Sequence, residues 1–284
     1  MRPTTVSDVD IPEAARTWIE ERLSADVDLP ALPEAAARVI ALCDDGEADA
    51  RAVEGALERD PALATRVLKT ANSALYGASE PVVSLRRAVS RLGLSSVRSL
   101  ALSASLQSRI FDVPGRASTV QEVWAHCSVA GLYAREIARS MRKNVEAAFL
   151  CGLIHDVGRP IVLNAALRMP RDRGELTAEQ LEHVVDRHHA RLGARLAASW
   201  GLGPWAVAAV EHHHDCELAE PYEDEARVTR LADLFAHWAL AAGSAADDAP
   251  HADPVVIALN LYPDDVDALV ARREIVLRAA EAFR

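Results

Sequence analysis

Apolar residues recur at three- and four-residue spacings along most of the chain, the period of a helix with one buried face. Ala15, Trp18, Ile19 and Leu23 share a stripe that predicts a helix over 11–23. Leu29-Pro-Ala-Leu-Pro33 reads as extended, because each proline disfavours helix in the residue before it. Helices are predicted over 34–43, stopped by Asp44-Asp-Gly46, and over 49–59. Pro61 opens the next at its first turn, where a missing N–H costs nothing. Gly77 and Pro81 punctuate a connection before helices over 84–92 and 95–111, and Asp112–Arg116 is the clearest break. Beyond it, Thr119 with Glu122 has capping-box spacing and predicts a helix carrying His126 to about Arg139. Asn144 caps a helix that ends at His155-Asp156, ahead of Gly158 and Pro160. Thr177 and Gln180 repeat the box for a helix running through His189 to Trp200, stopped by Gly201. Pro204 opens the helix that delivers Glu211–His214. Residues 215–225 read as an acidic loop, 226–242 as a helix containing Asp233, 242–254 as a loop, and Pro263 as the start of a C-terminal helix. No strand-like alternation, fixed-period repeat or glycine-rich phosphate loop stands out, so the fold class expected is all-α.

Composition sharpens this picture. Half of the 284 residues are hydrophobic but only 5% are aromatic, and alanine is abundant, which suits closely packed helices. A net charge of −11 argues against general binding to nucleic acid or an anionic membrane, since phosphate attraction needs a basic face. The local exception is Arg86, Arg87, Arg91 and Arg98, readable as a docking face for an acidic partner or a nucleotide phosphate, or more simply as a solvated helix face. Four scattered cysteines without a CxxC pair fit a reducing compartment. No leader-like start and no run approaching 18 apolar residues is evident, so the expectation is a cytoplasmic chain without a membrane span.

The candidate chemistry centres on His155-Asp156, which closes the apolar run Phe149-Leu-Cys-Gly-Leu-Ile. His126, His189, the triplet His212-His213-His214 and Asp233 supply further imidazoles and carboxylate. Imidazole and carboxylate are the ligands that borderline divalent metals take. Consecutive residues on a regular helix diverge by about 100°. A helix ending at Gly158 would let His155 and Asp156 turn to one centre. The competing reading is a neutral imidazole held by a carboxylate inside a helical core. His188 and His214 are assigned to the surface or to a supporting position behind the ligands, and Asn72 to backbone hydrogen bonding at a helix end, where asparagine tolerates left-handed geometry.

The order His, His-Asp, His, His-His, Asp resembles the HD superfamily of metal-dependent phosphohydrolases. Asp60–Gly77, Trp124-Ala-His126-Cys, Gly152–Gly158, His189–Gly193 and Trp200-Gly-Leu before His212-His213 are similar to the HDOD domain over roughly residues 25 to 240. The resemblance implies an N-terminal helical extension (1–24), an N-terminal helical subdomain (25–112) packed on an HD-like subdomain (113–242), and a C-terminal helical extension (243–284). It also implies one metal on His126, His155, Asp156 and Asp233, and a second on Asp156, His189, His212 and His213. One or two ions of Fe, Mn, Zn or Mg are then expected, with Arg159 placed to contact an anion. HDOD domains are bacterial signalling modules, so a regulatory role through signalling-protein partners, gated by metal or a nucleotide ligand, is expected. A metal-dependent phosphohydrolase or phosphodiesterase is the alternative. No Gly-Tyr-Pro follows His212-His213, which speaks against a cyclic-dinucleotide phosphodiesterase of the type that carries it.

Overall fold

The computed structural model describes residues 9–24, 29–45, 49–73, 81–241, 243 and 249–281, and every regular element among them is a helix. The first six are α1 (Glu13–Ser24), α2 (Glu34–Asp44), α3 (Ala50–Leu57), α4 (Pro61–Ala71), α5 (Leu85–Leu92) and α6 (Leu94–Arg109). The next six are α7 (Ala117–Ser140), α8 (Val145–Ile154), α9 (Gly158–Leu167), α10 (Ala178–Ser199), α11 (Pro204–His212) and α12 (Glu223–Leu240). Three short helices close the chain: α13 (Pro254–Ala258), α14 (Pro263–Val270) and α15 (Arg273–Ala280).

Local sequence explains most starts. Asp49 and Asp60 cap α3 and α4, Asn144 accepts from the Glu146 and Ala147 N–H groups, and Thr177 forms the full box with Gln180. Two expectations change. α7 begins at Ala117, so Thr119 lies inside the helix and its spacing with Glu122 is not used as a cap. α12 begins at Glu223, three residues inside the expected loop, because Glu223, Asp224 and Glu225 stabilise the positive end of its dipole. Gly46 and Gly77 lie outside the described residues.

Asn72 acts as a staple. Its amide donates to the Leu68 and Val82 carbonyls (2.9 and 2.8 Å) and accepts from the Val82 N–H (2.7 Å). Its φ of −94° is right-handed, so hydrogen bonding to a distant strand of chain, rather than a left-handed turn, explains the asparagine.

Helices α2–α6 pack on one another, and α6 leans on α8. One buried apolar cluster runs from Val39, Leu57 and Leu63 through Leu102 to Tyr133, Phe149 and Phe235. At the 112–116 turn, Phe111 and Trp124 meet edge to face at 5.0 Å. α1 packs on α9, with Arg195 donating to the Leu23 carbonyl at 2.8 Å. α14 and α15 pack on α7. The run Val145–Leu167 is long and apolar enough to cross a membrane, yet 72% of its most apolar window is buried inside the protein. Turn residues between α8 and α9 divide it.

Candidate metal centre

Two close backbone approaches assemble the site. α7 crosses α8 where a β-carbon on Gly152 would stand 2.7 Å from the Ala130 carbonyl oxygen, and this contact brings His126 to His155. The start of α9 presses on α10 so tightly that a β-carbon on Gly158 would lie 1.9 Å from the His189 carbonyl oxygen. That contact sets Asp156 beside His189.

Asp156 divides its carboxylate between two groups of imidazoles. Oδ1 lies 3.2 Å from His189 Nε2 and 4.0 Å from His213 Nε2, while Oδ2 lies 3.8 Å from His155 Nε2. On the Oδ2 side, Asp233 Oδ1 stands 2.9 Å from His126 Nε2, 3.6 Å from His155 Nε2 and 3.3 Å from His237 Nε2. On the Oδ1 side, His189 Nε2 lies 3.4 Å from His213 Nε2 and 3.1 Å from His214 Nε2. His155, His189 and His213 are buried, whereas His237 and His214 stand exposed at the rim.

The tautomers follow from the helices. A carbonyl only accepts, so Nδ1–H of His155 donates to Gly152 (2.8 Å), that of His189 to Asp186 (2.8 Å) and that of His213 to Val210 (2.8 Å). Each of these three rings, when neutral, therefore turns an Nε2 lone pair inward, the usual anchoring of a metal-ligating histidine. The neutral His189 and His213 rings bring two such lone pairs face to face at 3.4 Å, with Asp156 Oδ1 alongside, an arrangement that repels unless a cation or a proton lies among them. The donor set fits divalent metal. Among the described residues, three groups have ligand atoms close enough to hold an ion: His126, His155 and Asp156; His126, Asp233 and His237; and His189, His213 and His214.

The electrostatics agree with that arrangement. Burial alone would push the His155 imidazole down, but the Asp156 and Asp233 carboxylates outweigh it and hold its pKa at about 9. Burial likewise opposes ionisation of Asp156, yet His155, His189 and Arg159 hold it well below the usual carboxylate range. Burial opposes ionisation of Asp233 too, but the hydrogen bond from His126 and the neighbouring His155 outweigh it and hold Asp233 well below the usual carboxylate range. Burial, then the neighbouring imidazoles His214, His155 and His189, push His213 well down.

Six of the seven expected ligands, His126, His155, Asp156, His189, His213 and Asp233, converge. His212 does not: its Nε2 lies 3.9 Å from Glu211, on the flank facing Leu202 and Tyr222. α11 ends at His212, and the following turn swings His213 and His214 inward instead. His214, expected at the surface or behind the ligands, stands with His189 and His213 where His212 was expected. His237 was also missed, although it lies one helical turn after Asp233 and so on the same face. Arg159, expected to contact an anion, is engaged by Asp186 (2.8 Å) and Glu182, with Asp156 at 3.8 Å.

Residues 29–216 match the HDOD domain family. The fold is similar to that of a provisionally named metal-dependent phosphohydrolase from Shewanella amazonensis SB2B, with a TM-score of 0.73 and 22% identity over 95% of this chain and 99% of that one. A provisionally named signal transduction protein from Marinobacter aquaeolei VT8 is also similar, with a TM-score of 0.63 and 24% identity over 97% and 67% of the two chains. An uncharacterized protein of Treponema pallidum (strain Nichols) is 24% identical over 197 residues, 66% of this chain and 38% of that protein. The chain thus spans less than two fifths of the length of that curated relative. With a match across most of its length and a helical fold of the same kind, the chain belongs to the HDOD domain family.

Proposed function

We propose that this chain is a signalling module built on a two-ion HD centre, at which a phosphoester is bound and its presence passed to protein partners. The observation that carries the reading is the division of Asp156 between two histidine groups, Oδ1 toward His189 and His213 and Oδ2 toward His155. The histidine-rich donor set fits Fe, Mn or Zn better than Mg. His126, His155, Asp156, Asp233 and His237 would hold one ion, and Asp156, His189, His213 and His214 the other. When bound, such a pair supplies positive charge that polarises a phosphoryl group and acidifies a water. The chain's own part is to orient the rings through their backbone acceptors, to hold Asp156 ionised, and to exclude solvent from all but the rim.

Packing of α6 on α8 gives a physical route by which the N-terminal helices sense the centre, because α8 ends on His155. The full chain, reconstituted with manganese or iron and freed of excess, should carry about two ions by elemental analysis, three or four protein ligands being sufficient for each. Asp156→Ala should lose both together. Absence of metal after reconstitution, or full retention by Asp156→Ala, defeats the reading.

A second reading, metal-dependent hydrolysis of a phosphodiester, is favoured by the completeness of the ligand set. It is tested by turnover of bis-p-nitrophenyl phosphate by the manganese-loaded chain. Turnover abolished by His155→Ala supports hydrolysis, and its absence leaves the protein as a binding module.

A further inference from the structure

A cleft of about 500 Å³ lies beside the centre, between the 216–218 turn, α12 and the start of α13. His214 belongs to both: it lines the cleft, and its Nε2 stands 3.1 Å from His189 Nε2. Leu218, Val255 and Ala258 give the cleft apolar walls. Its two cations are already neutralised. Arg227 grips both oxygens of Glu217 (2.8 and 2.9 Å) and reaches Asp224 at 3.4 Å. Arg230 donates to the His214 carbonyl at 3.2 Å and faces Asp253 at 3.6 Å. Asp215 adds a further carboxylate to the wall. No excess positive charge remains to attract a second phosphate, while the volume lies in the range of small-molecule sites.

We infer that this cleft receives the organic group of a phosphoester whose phosphoryl group sits at the metal centre, and that it selects a neutral, partly apolar group. The inference rests on the two-ion reading and adds the ligand class. Val255 and Ala258 come from α13, beyond the residues matched to the family, so selectivity resides in this chain's own C-terminal segment.

The manganese-loaded full chain, titrated calorimetrically with inorganic phosphate and with phenyl phosphate, provides the test. Both should bind, and burial of the ring should make phenyl phosphate roughly tenfold tighter. Ala258→Trp fills the cleft from its exposed side, and Leu218→Asp makes its opposite wall charged. Each should abolish the advantage of phenyl phosphate and leave the affinity for inorganic phosphate unchanged. Equal affinities in the unsubstituted chain, or an undiminished advantage in both variants, overturns the cleft assignment. Failure of inorganic phosphate itself to bind overturns the two-ion reading, and the cleft assignment with it.

Discussion

Gly158 and His189 meet backbone to backbone, with room for no side chain between them: a β-carbon at 158 would come within 1.9 Å of the His189 carbonyl oxygen. The obstruction is backbone on a buried helix, which cannot rotate aside. The same contact sets the distance between Asp156 and His189, so packing and site geometry are coupled here. Gly158→Ala should therefore destabilise the fold by about 3 kcal/mol or more. Metal content should fall in the fraction that still folds. A chemical denaturation midpoint equal to that of the unsubstituted chain would show that α9 and α10 separate freely.

Metal affinity should rise with pH. In the metal-free chain the His155 pKa stands at about 9, above its ordinary 6.5. Burial works against this value, and Asp156 and Asp233 impose it. A pKa raised on folding means that the stabilisation from His155 is complete below about 6.5 and is lost as pH climbs through about 9. An ion taking Nε2 must displace that proton, so apparent affinity should increase up to about pH 9. Near pH 7.5, about one proton should be released from His155 on binding. Calorimetric binding heats in two buffers of different ionisation enthalpy give the number, and heats independent of buffer would contradict the account.

The three consecutive histidines should behave differently. His213 faces Asp156 and His189, whereas His212 points to the opposite flank beside Glu211. His213→Ala should weaken retention of the second ion, so that metal content after removal of excess falls, since it removes one of about four ligands. His212→Ala should leave the content unchanged. A loss of metal with His212→Ala and none with His213→Ala would reverse the assignment.

Asn72→Ala removes three hydrogen bonds, of which two join the end of α4 to Val82 and one returns to the Leu68 carbonyl. The two bonds to Val82 are worth about 1 kcal/mol each net, while water can replace the exposed one to Leu68, so a loss of about 2 kcal/mol is expected. Because one apolar core runs through α2–α6 and α7–α12, the effect should appear as a lowered Tm of a single cooperative transition. Two separated transitions, with only the first shifted, would mean that the halves fold independently.

The sequence by itself determined the helical class and many of the helix starts, because periodicity, capping residues and proline positions act within a few residues. The family resemblance gave Asp156 to both metals, and the structure places it in the turn between α8 and α9. His126, His155, His189, His213 and Asp233 were legible through their order along the chain. Only the tertiary structure decided between His212 and His214. Their orientation depends on where α11 ends and on which side α10 and α12 approach, and three identical neighbours carry no local signal of that. The fate of Arg159 was hidden for a related reason, since its partners Glu182 and Asp186 lie on α10, brought near by the Gly158 contact. Helix formation is a local property of the chain. Which side chains share a centre is set by distant backbone surfaces pressing together.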